Sequence, residues 1–238
     1  MSTDDPKIIE HQIKNYLLNA PDEEGFEFLA QRVEAYLNQR DETACRDLII
    51  CARVFVTLSH DKNYIDRLPD LYQCGDDSEI HHFTKLFFTD YSPSRVGIPN
   101  VEAQNAQTLI SQPLGVQKAM ARSPIRHHHE ALLYSPWPQV VEILCANPAI
   151  REQDILFMAS RRPSQNDLLE PILSSPWSSR LEIRFALAAN PSLKASHALR
   201  CLFSLPPLKM EIIASMPELH QFIRETAFRL LNYMLRPR

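Results

Sequence analysis

The sequence predicts an all-α protein whose second half is a helical solenoid. Three observations support this fold class. Only 4 of the 238 residues are glycine, whereas 18 are proline, and sheet-rich folds need glycine at their tight turns. Apolar residues recur at helical spacing through most of the chain. Short motifs also return 40 and 43 residues later, which is typical of helical repeats.

The first three helices are marked by their starting residues. Asp5 followed by Pro6 is typical of an N-cap and first turn, and predicts a helix that runs to about Asn19. Pro21 precedes three acidic residues that suit the positive end of a helix dipole, so it starts the second helix. Asp41 is the expected N-cap of the third helix.

The third helix is apolar on nearly all sides, with Arg53 as the interruption. A helix that is apolar all round is buried, so we expect this one at the centre of the N-terminal part. Two further helical stretches are predicted around residues 64–73 and 78–89.

The helical pattern stops at residues 91–100, which contain two prolines and a glycine. Proline disfavours helix in the residue before it, and glycine favours turns, so this segment is the predicted linker. The sequence therefore predicts three parts: an acidic N-terminal helical region at 1–90, a linker at 91–100 and a repeat region at 101–238.

Two motifs define the repeats. Ser135-Pro136-Trp137 returns as Ser175-Pro176-Trp177, 40 residues later, and Ala146-Asn147-Pro148 returns as Ala189-Asn190-Pro191, 43 residues later. A degenerate first copy is predicted at 113–124 and an incomplete last copy at 222–231. Each unit is expected to contain about three short helices, which gain stability by stacking on their neighbours.

These motifs carry a resemblance to a known class of repeat. The two helices that end in Asn-Pro, the segment that ends Arg-Arg-Pro163 and the Ser-Pro-Trp step before Arg180 resemble bacterial HEAT-like repeats, including the leucine-rich variant type, over residues 113–235. The resemblance implies a right-handed α-solenoid of HEAT/armadillo-like repeats, preceded here by an N-terminal helical bundle. It also implies a protein-interaction scaffold. The iron–sulfur cluster of some leucine-rich variant proteins is not expected, because the cysteines lack its spacing.

Charge is divided unevenly along the chain. Residues 1–112 carry 10 Lys and Arg against 19 Asp and Glu, a balance of −9, whereas residues 113–238 carry 15 against 10, a balance of +5. The acidic half would repel nucleic acid and anionic membranes, and the basic half could meet an acidic protein surface. An uneven but merely solvated surface is the alternative.

Composition also bears on the compartment. No apolar run has the length of a membrane span, and residues 1–10 are acidic where a signal peptide would be basic and then apolar. The five cysteines lack a framework spacing, which suits a reducing compartment. We expect a cytoplasmic protein with its cysteines as small core residues.

Catalytic motifs are missing from the sequence: it contains no phosphate-binding glycine loop, no G-x-S-x-G elbow and no paired C-x-x-C. The consecutive His127, His128 and His129 would fan over three faces of a helix, which opposes a shared metal site. We expect no enzyme activity, cofactor or metal. The alternative is a HEAT-like nucleic-acid-binding protein or DNA glycosylase-like enzyme, in which Trp137 and Trp177 would act with Asp154 or Asp167.

The predicted binding surface consists of arginines and tryptophans in the repeat region. Arginine offers a planar fork of donors for carboxylates, and the repeated tryptophans could grip a partner. The alternative is a structural role, in which the tryptophans pack into the joints between repeats and some arginines cap helix carbonyls. The residues predicted to contact a partner protein are Arg161, Arg162, Arg180, Arg184, Trp137 and Trp177.

Overall fold

The computed structural model describes residues 5–89 and 112–236. These residues form α-helices joined by short loops and 3-10 turns, with no β-strand among them, so the all-α prediction is confirmed. None of the helices in the described part of the chain has the length and apolar character that a membrane-spanning segment needs. The predicted linker at 91–100 lies outside the described residues.

The chain divides into two compact units, one of Met1–Pro93 with Lys194–Arg238 and the other of Ser94–Leu193. The first unit contains eight of the described helices and a 3-10 turn at Leu86–Phe88. The helices are α1 (Pro6–Leu18), α2 (Asp22–Gln39), α3 (Glu42–Leu58), α4 (Lys62–Gln73) and α5 (Glu79–Lys85), followed after the second unit by α12 (Ala195–Leu202), α13 (Pro207–Ser215) and α14 (Gln221–Leu235).

The predicted caps form as expected. The Asp5 carboxylate accepts from the backbone N–H of Lys7 at 2.9 Å, and the Asp41 carboxylate accepts from the N–H groups of Thr43 and Ala44 at 2.7 and 3.1 Å. Each bond satisfies a donor that the first turn of a helix leaves without an intrahelical partner. Helix α3 is buried on most sides and packs against α1, α2 and α12, so its predicted central place is confirmed.

The C-terminal helices of the first unit pack on its N-terminal helices. The Arg200 guanidinium donates to the Phe87 carbonyl at 2.9 and 2.7 Å, and the Phe87 and Phe203 rings lie 4.5 Å apart. This division differs from the predicted repeat region at 101–238, because residues from 194 onward join the N-terminal helices. Periodicity identifies a repeated local pattern, but it does not specify which neighbour covers the apolar face of each copy.

The second unit contains six described helices and a 3-10 turn at Pro176–Ser179. They are α6 (Leu114–Arg122), α7 (Arg126–Leu132), α8 (Pro138–Ala146), α9 (Glu152–Ser160), α10 (Asn166–Ser174) and α11 (Leu181–Ala188). They form two sets of three. In each set the first helix packs on the third, α6 on α8 and α9 on α11, and α8 of the first set packs on α10 of the second. The third helices of the two sets, α8 and α11, thus occupy corresponding positions.

Candidate protein-interaction surface

The repeated asparagines hold the two three-helix sets in the same way. The Asn147 side-chain amide donates to the carbonyls of Ala121 and Ser123, at 2.7 and 2.9 Å, where α6 ends. The Asn190 amide donates to the carbonyls of Ala159 and Arg161, at 2.8 and 3.1 Å, where α9 ends. Both asparagines are buried. The amide therefore supplies donors to helix carbonyls that have no intrahelical partner, which explains why this residue type returns.

The repeated tryptophans have different environments. In both motifs the serine hydroxyl accepts from the tryptophan backbone N–H, at 3.4 Å for Trp137 and 3.3 Å for Trp177. The Trp177 indole then donates to the carbonyl of Cys145 at 2.9 Å, at the end of α8. Trp137 is instead 42% exposed. Trp177 thus joins neighbouring helices, in agreement with a structural role, whereas Trp137 presents an aromatic surface to solvent.

Arg184 does not belong to an accessible surface. It is only 5% exposed, and its Nη1 donates to the carbonyls of Ser178 and Ser179, both at 3.0 Å. Because the side chain is buried, the prediction that Arg184 contacts a partner is wrong. The physical reason is that the guanidinium donates to two carbonyls at the end of the 3-10 turn at once, which supplies hydrogen-bond partners for a buried cation.

The other three predicted arginines remain at least partly exposed. Arg161 is half-buried and its Nη1 donates to the Leu133 carbonyl at 3.0 Å, and burial lowers the pKa of its guanidinium. Arg162 is also half-buried and donates to the carbonyl of Ala189. Arg180 is exposed, with its Nε 3.7 Å from a carboxylate oxygen of Glu152. Arg161 and Arg162 therefore combine helix capping with partial exposure.

Two further aromatic residues lie beside Arg161, and sequence reasoning missed both. The rings of Tyr134 and Phe157 meet edge to face with centroids 5.3 Å apart, and the Arg161 guanidinium lies 5.7 Å from the centre of the Tyr134 ring. Tyr134 is 37% exposed and Phe157 36%. We name these three residues the aromatic–arginine cluster. One signal was available: Phe157 lies on the face of α9 that otherwise carries polar residues.

An ion-pair network joins the starts of α7 and α9. The Arg126 guanidinium makes two hydrogen bonds to the Asp154 carboxylate, one of them 2.8 Å, and a third to Glu130 at 2.8 Å. Asp154 also accepts from the backbone N–H of Arg151 at 3.1 Å. Burial by itself would raise the pKa of Asp154, but these hydrogen bonds lower it below its usual value. Asp154 is buried in this network, whereas Asp167 is exposed on α10.

The three consecutive histidines point in different directions. His129 is buried, with its Nε2 atom 2.7 Å from the carbonyl of Ser123, while His127 is exposed and His128 half-buried. Within residues 5–89 and 112–236, no group of three or more His, Cys, Asp or Glu side chains is placed to hold a metal ion. His129 therefore packs as part of the helix joint that Asn147 also supports.

All five cysteines are free thiols, and they differ in burial. Cys51, Cys145 and Cys201 are buried, as predicted, whereas Cys45 and Cys74 are half-buried. Burial raises the pKa of the Cys51 thiol to about 12, and that of Cys145 likewise to about 12. Because the thiolate is the reactive form, these two side chains are poorly suited to nucleophilic chemistry.

Comparison with protein-family models, curated proteins and solved structures finds no match to this chain.

Proposed function

We propose that the second unit consists of HEAT-like repeats of an α-solenoid and serves as a non-catalytic scaffold that binds another protein. The observation that carries the proposal is the aromatic–arginine cluster, in which Tyr134 and Phe157 are each more than one third exposed beside Arg161. Tyrosine, tryptophan and arginine dominate the energetics of protein interfaces. The exposed Trp137 adds a further anchor of this kind.

The cluster is held in place before any partner binds. The hydrogen bond from Arg161 to the Leu133 carbonyl fixes the guanidinium at the end of α9, close to the Tyr134 ring. The edge-to-face contact with Phe157 restricts that ring in turn. Association then costs less side-chain entropy than it would for mobile side chains. We propose a partner that presents an apolar anchor to the two rings and a carboxylate to Arg161.

The repeat assignment rests on the asparagine bonds. Asn147 and Asn190 make equivalent pairs of hydrogen bonds to the ends of α6 and α9. Stacking of short helices into a continuous core is the principle by which such repeats become stable. A row of similar units presents an extended surface of the kind that repeat proteins use for binding. In this account, the first unit is a helical bundle.

The alternative hypothesis has two candidate acids: Asp167 is exposed on α10, whereas catalysis by Asp154 is poorly supported. Asp154 would have to accept a proton or activate water, yet its carboxylate is buried and held by two hydrogen bonds from Arg126. A general base must reach the proton that it abstracts. Trp177, the second aromatic residue of that hypothesis, donates its indole N–H to Cys145. We therefore prefer the scaffold.

The proposal is tested by quantitative capture from the lysate of the native host with the full chain as bait. The variant Tyr134→Ala/Phe157→Ala should retain at least tenfold less of a protein that the natural chain binds specifically, because the variant lacks both rings of the cluster. Tyr72→Ala is the matched control, since Tyr72 is an exposed tyrosine of the first unit. Equal retention by the double variant and the control would contradict the proposal. Retention of nucleic acid that salt releases would favour the alternative.

A further inference from the structure

The last two helices of the chain leave several apolar side chains exposed to solvent. Helices α13 and α14 pack closely on one another, with Met210 and Ile213 of α13 buried. The opposite side of α13 exposes Leu208 and Ile212, one helical turn apart, and α14 exposes Phe228, which is 56% accessible. An isolated exposed apolar residue is ordinary, but Phe228 also lines a groove on this helix pair.

A groove of about 420 Å³ runs along this helix pair. Its walls combine an aromatic ring with charged and amide groups. The lining residues are Ala214, Gln221, Arg224, Glu225, Phe228 and Arg229. We name it the C-terminal groove. All of its lining residues belong to the first unit, so it is a separate feature from the aromatic–arginine cluster.

The charges of the C-terminal groove favour an acidic occupant. Glu225 is engaged by Gln221, whose side-chain N–H donates to it at 2.6 Å. Arg229 lies with its Nη1 atom 3.0 Å from Nε2 of His82, a contact with an uncharged group when the imidazole is neutral. Arginine at the edge of an apolar surface is suited to pair with a carboxylate on the partner.

Arg224 gives an independent indication. Its Nε atom is buried and has no hydrogen-bond acceptor among the described residues. A buried donor without an acceptor destabilises the folded protein. Arg224 as a whole is only half-buried, so its side chain can turn towards the groove, where Nε and a neighbouring Nη would bind a carboxylate in the two-bond geometry that arginine favours.

We propose that the C-terminal groove binds an amphipathic helix of a partner protein, with apolar side chains on Phe228 and carboxylates on Arg224 and Arg229. Such a helix would carry apolar residues at spacings of three and four, flanked by Asp or Glu. This is a second binding surface, and it does not depend on the function proposed for the second unit.

The test uses the full-length protein and a panel of fluorescent 20-residue helical peptides. Each peptide has a leucine stripe, with its flanking positions either all glutamate or all lysine. We expect saturable binding of glutamate peptides by fluorescence anisotropy, at least tenfold tighter than that of their lysine counterparts. Binding of the glutamate peptides should also weaken on raising the salt, because the proposed arginine pairs lie at the surface.

Two variants locate the binding. Phe228→Ala and Arg224→Gln should each weaken glutamate-peptide binding at least fivefold, whereas Ile65→Ala should leave it unchanged, since Ile65 is an exposed apolar residue of α4. Circular dichroism checks that every variant keeps its helix content. Absence of saturable binding across the panel, equal binding of the two peptide classes, or binding insensitive to both variants would overturn the proposal. A dimer of the full chain that Phe228→Ala dissociates would assign the groove to a second copy and would also overturn it.

Discussion

Asn147 and Asn190 lie 43 residues apart in the sequence and make the same pair of hydrogen bonds to the end of a neighbouring helix. Each side chain also accepts a bond from the backbone two residues later, from Ala149 at 2.8 Å and from Ser192 at 3.0 Å. The same contact between helices therefore occurs twice, once in each copy of the motif. The motif ends one helix, and it caps another that lies beside it.

Removal of either joint should destabilise the protein. We expect Asn147→Ala and Asn190→Ala each to lower the free energy of unfolding by about 2 to 4 kcal/mol, because each removes two amide hydrogen bonds to carbonyls at the end of a neighbouring helix. Urea denaturation followed by circular dichroism measures the change. The control is Asn63→Ala, at an exposed asparagine, which should have little effect. A similar small loss at all three positions would refute the structural role of the joint.

The two tryptophans should respond differently to the same substitution. Trp177→Phe removes the indole donor to the Cys145 carbonyl, so we expect a loss of about 1 kcal/mol in the free energy of unfolding. Trp137→Phe makes the same chemical change at an exposed position and serves as the matched control. Thermal denaturation of the two variants side by side provides the comparison, and equal shifts in Tm would count against the proposed difference.

Asp154 should make the stability of the protein depend on acid. Its pKa in the folded protein lies below its usual value because of the Arg126 and Arg151 hydrogen bonds. The stabilisation is therefore fully present above the usual carboxyl pKa, and is lost as the pH falls through the lowered value. Asp154→Asn should be less stable than the natural protein at pH 7 and should lose less stability between pH 5 and about 2.5. Urea midpoints across this range measure it; parallel curves for the two proteins would exclude this contribution.

The thiols should react in the order of their exposure. We expect iodoacetamide at pH 8 to label the half-buried Cys74 and Cys45 well before Cys51 and Cys145, whose pKa is raised to about 12 by burial. Peptide mass spectrometry of briefly treated native protein gives the labelled fraction at each site. In urea the differences should disappear. Fast native labelling of Cys51 would show that its surroundings are not closed to solvent.

The sequence was sufficient wherever structure depends on residues close together in the chain. The caps at Asp5 and Asp41 act on N–H groups two or three positions later, so composition and spacing could predict them. The apolar pattern of α3 likewise predicted its central place. The two sets of three helices in the second unit follow the repeated motifs at Asn147 and Asn190.

Contacts between distant residues were not predictable in the same way. Arg180 and Arg184 are both arginines, yet Arg184 is buried against a 3-10 turn while Arg180 is exposed. Tyr134 lies in the turn after α7 and Phe157 lies on α9, and only folding brings their rings together. The packing of Phe203 against Phe87 depends in the same way on a tertiary choice of neighbour. A single sequence records the residue types but not these pairings.

The most direct test of the scaffold replaces Phe157 by the photo-crosslinking amino acid p-benzoylphenylalanine in the full chain, expressed in the native host. Irradiation should yield a discrete adduct with one protein, because the ring at this position is proposed to contact the partner. The same replacement at Tyr72 should give no such adduct. Identification of the adduct by mass spectrometry would then name the partner. A crosslink to nucleic acid at position 157, or no adduct there under conditions in which the protein is folded, would contradict the assignment of the aromatic–arginine cluster as a protein-binding surface.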